Sequence, residues 1–126
     1  MKTTKFFTVA VTVIALTSCS TNKTENEAAN STITEAANGV TTSTFKVWGN
    51  CEMCKETIES SLKVPGISKA DWNVDTKIMT VSYDSSKISL DQIQKNIAGV
   101  GYDTEKYKGD DKAYHELAGC CQYERK

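Results

Sequence analysis

A Cys-x-x-Cys pair stands where a two-residue periodicity gives way to a helical one, and this junction constrains the chain more than any other feature. Phe45 and Val47 alternate with polar Thr44 and Lys46, as along a strand with one buried face. Cys54, Ile58, Ser61 and Leu62 then fall at i, i+4, i+7 and i+8, one face of a helix. Trp48, Gly49, Asn50 and Cys51 lie between the two patterns. The start of a helix offers free N–H groups and the positive end of the helix dipole, which favour a thiolate over a thiol. The pair therefore reads as a soft-metal site or a redox couple. A structural disulfide is the plainer alternative, but so short a loop gains little from closure.

The patterns after this junction predict a complete small fold. Pro65 and Gly66 end the first helix. Ala70, Trp72 and Val74 alternate with Asp71, Asn73 and Asp75, a turn follows through Thr76 and Lys77, and Met79, Val81 and Tyr83 alternate again. This predicts a hairpin. Ser89 and Gln92 have capping-box spacing, Leu90, Ile93 and Ile97 follow at helical spacing, and Gly99 with Gly101 closes the helix. Residues 102–108 predict a fourth, mostly polar strand, suited only to a sheet edge. The β-α-β-β-α-β order predicts an α+β, ferredoxin-like sandwich: a four-stranded antiparallel sheet with two helices on one face. One small core of this kind offers no enzyme-sized cleft.

The N-terminal region reads differently. Lys2 and Lys5 precede an apolar run over residues 6–16, shorter than the roughly 20 residues that span a bilayer. Residues 1–18 are expected to be a lipoprotein signal peptide. The Leu16-Thr17-Ser18-Cys19 ending resembles the bacterial lipobox, which implies cleavage before Cys19 and lipidation of its thiol. That places the protein in the cell envelope, lipid-anchored to a bacterial membrane on its periplasmic or surface face. Residues 19–41 are expected to be a disordered tether, since through about Val40 they carry one Ile and no aromatic residue. Residues 42–108 are the folded domain, and residues 109–126 a short helical extension ending near Cys120 and Cys121. The net charge of −1 gives no electrostatic case for binding nucleic acid.

Cys51-x-x-Cys54 on the first strand–helix loop, the element order, and the turn Val64-Pro65-Gly66-Ile67 together resemble the heavy-metal-associated domain family. Its members include copper chaperones, N-terminal modules of metal-transporting ATPases and the periplasmic mercury-binding protein. The resemblance covers about residues 42–108. It implies metal ligation by Cys51 and Cys54, and an aromatic side chain, here Tyr102, near the metal. The chain departs from the family at Trp48-Gly49-Asn50, where Gly49 stands in place of a customary buried Met, so the loop must pack differently.

Thiolates select Cu(I), Zn(II) or other thiophilic ions over Mg(II) or Ca(II). Cu(I) is the expected cargo, and a metal-transporting ATPase, an efflux component or another metal acceptor the expected partner. Lys55 is a candidate to offset the charge of a two-thiolate complex, or else a solvated helix residue. Met53 is a soft donor by chemistry, and a packing or loop residue by position. In the extension, Cys120 and Cys121 are candidate third or fourth ligands, with a disulfide to Cys51 or Cys54, or a separate site, as alternatives. Vicinal cysteines rarely bond to each other, because the ring is strained. His115, the single histidine, is a surface residue or a fourth donor. The leading function is that of an envelope metallochaperone or metal scavenger working by thiolate exchange, and not an enzyme. The competing readings are a thiol–disulfide oxidoreductase and a disulfide-held interaction module. Against the first of these, Pro65 is the only proline and closes a helix, so no downstream proline faces the Cys-x-x-Cys loop.

Overall fold

The computed structural model describes residues 32–35 and 39–126. The expected signal segment, Cys19 and most of the expected tether lie outside the described residues. Within residues 40–99 the predicted elements form in the predicted order. Strand β2 (Val40–Lys46) leads into α1 (Glu52–Ser60), then come β3 (Ile67–Trp72), β4 (Ile78–Asp84) and α2 (Leu90–Gly99). Ser89 Oγ accepts the Gln92 N–H at 3.2 Å, the cap that its spacing predicted. Asn73 Oδ1 accepts the N–H groups of Asp75 and Thr76, and Lys77 takes φ +61°, which closes the β3–β4 hairpin.

The sheet is four-stranded and antiparallel, as expected, but its fourth strand comes from the opposite end of the domain. The strand order is β1-β2-β4-β3, where β1 is Thr32–Glu35. These residues belong to the segment read as a tether, and they pair with Thr41 to Thr44 of β2. The expected strand over residues 102–108 is reduced to one bridge, Val47 with Thr104. The chain turns back immediately after it: Thr104 N–H donates to Tyr107 O at 2.7 Å, and Tyr107 N–H donates to Thr104 Oγ1 at 2.9 Å. Backbone groups used in that turn cannot extend a ladder. β2 also begins earlier than its hydrophobic alternation suggested. Thr41 and Ser43 are its buried inner residues there, and Ser43 Oγ lies 3.3 Å from Tyr83 Oη.

One face of the sheet supplies Phe45, Trp72, Met79, Val81 and Tyr83 to the core; Ile58 of α1 and Ile93 and Ile97 of α2 cover them. The indole of Trp72 donates to Val47 O at 3.1 Å, so the largest buried side chain also satisfies the end of β2. Beyond α2 the chain forms α3 (Asp111–Glu116) and a 3-10 turn (Gly119–Cys121). Asp110 Oδ1 caps α3 by accepting the Ala113 N–H at 2.8 Å. Gly101, at φ +93°, is where α3 docks. A Cβ there would lie 2.7 Å from the Tyr114 nitrogen, and one on Gly109 2.6 Å from the Gly101 carbonyl carbon. Among the described residues no helix is long and apolar enough to cross a membrane.

Candidate metal centre

The first cysteine stands at the end of a loop whose packing follows from one small buried residue. Gly49 is buried, and a Cβ there would meet the Trp72 ring at 2.8 Å and Cys54 Cβ at 3.3 Å. The indole thus occupies the space that a larger loop side chain would need, which is how the Gly49 departure is accommodated. Cys51 is the N-cap of α1, and Cys54 sits one turn in, fully buried. Their sulfurs are 3.6 Å apart, and the Asn50 N–H donates to Cys54 Sγ at 3.3 Å.

The C-terminal extension folds back over this loop. Cys121, 3 % exposed, brings its sulfur to 3.8 Å from Cys51 Sγ. The sulfurs of Cys51, Cys54 and Cys121 all lie within 4.8 Å of one another. Of the two adjacent tail cysteines only Cys121 enters this cluster. Cys120 points outward and is exposed, with its sulfur 3.9 Å from Cys121 Sγ. His115 is exposed and packs edge-on against Tyr114, and it is not a member of the cluster. All four cysteines among the described residues are free thiols.

The tail is fastened by hydrogen bonds and a buried ion pair that the sequence did not signal. Tyr123 Oη accepts the Asp103 N–H at 2.6 Å and donates to Gly101 O at 2.9 Å, and Tyr114 Oη donates to Tyr123 O at 2.7 Å. Asp103, fully buried, accepts from Gly109 N–H at 2.7 Å, Arg125 Nη2 at 3.0 Å and Lys126 N–H at 3.2 Å. Burial alone would raise its carboxyl, but these donors together hold it below the usual carboxylate value. The tail's final residues read in sequence as no more than a charged end, and no spacing rule pairs Arg125 with Asp103.

Cys51 and Cys121 are electrostatically unlike. The Cys54 N–H, opposed by burial and aided by the Cys54 and Cys121 thiols, lowers Cys51 to about 7. Burial, and behind it the adjacent thiols, pushes Cys121 up to about 12. Tyr102 is fully buried and its hydroxyl has no hydrogen-bond partner. Burial, then the neighbouring Cys54 and Cys121 sulfurs, drives its ionisation far above the ordinary range, so it remains a neutral phenol facing the cluster. Lys55 does not serve the thiols at all. Its ammonium is 2.7 Å from Asp71 and from Glu59 and 2.6 Å from Trp72 O, tying α1 to β3. The arrangement is a set of three soft donors, Cys51 acidic and half-buried, Cys121 buried and held protonated, and Cys54 buried.

Comparisons with known proteins agree with this construction. Residues 44–103 match the heavy-metal-associated domain. The copper chaperone CopZ of Staphylococcus epidermidis is 36 % identical over 63 residues, covering 48 % of this chain and 93 % of that protein. The copper chaperone CopZ of Staphylococcus aureus (strain JH9) is 36 % identical over 55 residues, 43 % of this chain and 81 % of its own length. Among solved structures, a putative copper-ion-binding protein from Bacillus anthracis str. Ames superposes with a TM-score of 0.51 at 31 % identity, over 54 % of this chain and 99 % of that one. The shared part ends near Asp103, so the three-thiol arrangement draws one of its sulfurs from sequence beyond the matched region. The order of strands and helices over residues 40–99, the loop cysteines and these relatives converge: the chain belongs to the heavy-metal-associated domain family.

Proposed function

We propose that the protein binds one thiophilic ion, Cu(I), through Cys51, Cys54 and Cys121, and passes it on by thiolate exchange as an envelope metallochaperone or scavenger. The observation that carries this reading is the convergence of three thiols from two distant segments within 4.8 Å. With metal–sulfur bonds of about 2.3 Å, a linear two-thiolate ion needs sulfurs about 4.6 Å apart, and a three-thiolate ion about 4.0 Å. The Cys51–Cys54 and Cys51–Cys121 separations of 3.6 and 3.8 Å suit the second case. Curated relatives that carry the name copper chaperone support Cu(I) as the ion. The same spacing suits Zn(II), whose tetrahedral sites prefer a fourth donor, so Zn(II) is the ion to compete against Cu(I).

Binding by this set is coupled to proton release. Cys51 needs little help to ionise near neutrality, whereas Cys121 gives up its proton only as the ion displaces it. Exchange then proceeds through an incoming thiolate from an acceptor, such as a metal-transporting ATPase or efflux component, which adds before the resident thiolates leave. The lipid anchor inferred at Cys19 would hold this exchange at a bacterial membrane. The test is Cu(I) competition titration of the reduced protein and its Cys51→Ser/Cys54→Ser variant. The double variant should lose tight binding while keeping its circular dichroism spectrum; retention of wild-type affinity would end the carrier reading.

A further inference from the structure

Sulfur donors continue outward from the three-thiol cluster to the protein surface. Cys120 Sγ lies 3.9 Å from Cys121 Sγ, and its thiol donates to the Met53 thioether at 3.7 Å. Met53, in the first turn of α1, is 53 % exposed although it is a large apolar side chain. The two residues come from segments 67 positions apart, and the loop holds them in register: Asn50 Nδ2 donates to Cys120 O at 3.4 Å and the Cys51 thiol to the same carbonyl at 3.7 Å. Met53 and Cys120 thus continue the three-sulfur cluster to the surface, Met53 to Cys120 at 3.7 Å and Cys120 to Cys121 at 3.9 Å, with Cys51 3.8 Å from Cys121 and 3.6 Å from Cys54.

We propose that Met53 and Cys120 form an outer soft-donor subsite through which a thiophilic cation enters and leaves the cluster of Cys51, Cys54 and Cys121. The proposal rests on the metal-carrier reading and adds the route. One exposed thiolate and one neutral thioether hold a soft ion less tightly than three thiolates, two of them buried, so the ion dwells inside and passes through the outer pair. In the inward step, a Cys121–metal bond forms as the Cys120–metal bond breaks. The proton leaving the Cys121 thiol is taken up by the released Cys120 thiolate, and the ion keeps its oxidation state. Each later step moves the ion by one sulfur spacing, so it always keeps at least one bond to sulfur. Cys54 and Cys121 are buried and Cys51 is half-buried, whereas Met53 and Cys120 are exposed, so this outer pair is the most open face that the sulfurs present to an acceptor's ligand.

The test uses the reduced full chain with Cu(I) and a chromophoric Cu(I) chelator, read at equilibrium for affinity and by stopped flow for transfer rate. Met53→Leu with Cys120→Ser should leave affinity within about threefold of wild type but slow transfer roughly tenfold or more, whereas Cys121→Ser should lower affinity itself. Transfer at the wild-type rate in the double variant would overturn the route. So would a loss of affinity in Cys120→Ser equal to that in Cys121→Ser, which would make Cys120 an ordinary ligand. Failure of the wild-type chain to bind Cu(I) tightly would overturn the carrier reading itself, and is seen before any variant is compared.

Discussion

Two cysteines of the same cluster differ in acidity because their surroundings differ in kind. Cys51 sits at a helix start where N–H groups stabilise negative charge, and Cys121 is buried where the tail packs against the domain. In the metal-free protein, the rate of Cys51 alkylation by iodoacetamide should therefore rise with pH about a midpoint near 7, while Cys121 stays unreactive to well above that. Mass spectrometry of the labelled peptides at each pH measures this; equal labelling of both would show that the tail does not close over the cluster. The low value of Cys51 was legible in the sequence, because a cysteine before a helix meets the same N–H groups in any fold that keeps the helix. The high value of Cys121 was not, because it depends on burial by residues distant in sequence. Trp72 was hidden for a similar reason: its alternation marked it as core, but not as the ring that fills the space above Gly49.

At the scale of elements, the feature that departs most from expectation is the region after α2. Residues 102–108 carry enough alternation to suggest a strand, yet their backbone groups close a turn, and the vacant length of β2 is paired by β1 instead. β1 went unread because Thr32, Ile33, Thr34 and Glu35 offer one apolar residue, and an edge strand can form from backbone hydrogen bonds alone. By contrast the short helix expected in the extension forms, as α3. Its position rests on the contact between Gly101 and the α3 backbone. Gly101→Ala places a side chain at φ +93° and 2.7 Å from the Tyr114 nitrogen, so it should cost more than about 1 kcal/mol and displace α3. X-ray absorption of the Cu(I) form should then count one sulfur neighbour fewer than in the wild type, with Cys51 and Cys54 still bound. An unchanged count would mean that Cys121 is not held by this contact.

For the whole molecule, the Asp103 carboxylate is the fastening that joins domain and tail. Its folded-state value is depressed, so its contribution to stability is present above the ordinary carboxylate pKa of about 3.9 and is lost as pH falls through the folded value. Tail docking should hold from neutrality down to about pH 4 and fail below it. Trp48 fluorescence is a suitable probe, since Lys126 of the tail lies 5.3 Å from its ring centre. Asp103→Asn should undock the tail at neutral pH, because it leaves Arg125 without its buried partner. Beyond the described domain, the anchor inferred at Cys19 makes its own prediction. Cys19→Ala should move the protein from the membrane fraction to the soluble one, and unchanged partition with no acyl mass on the N-terminal peptide would remove the anchor from the picture.

Local spacing by itself determined the two helices, the hairpin and the pair of thiols at a helix start, because each follows from periodicity and from groups a few residues apart. Cys51 and Cys54 are brought together by one turn of helix, so their partnership needed no tertiary information. Only the tertiary structure decided which of two adjacent cysteines joins them. Cys120 and Cys121 have the same chemistry and neighbouring places in the chain. The docking of α3 on Gly101, the Tyr123 hydrogen bonds and the Asp103–Arg125 pair turn one sulfur inward and leave the other at the surface beside Met53. Tyr123 meets Gly101 and Arg125 meets Asp103 across 22 positions, and Cys120 meets Met53 across 67, separations at which periodicity carries no information and only the packed chain determines what meets.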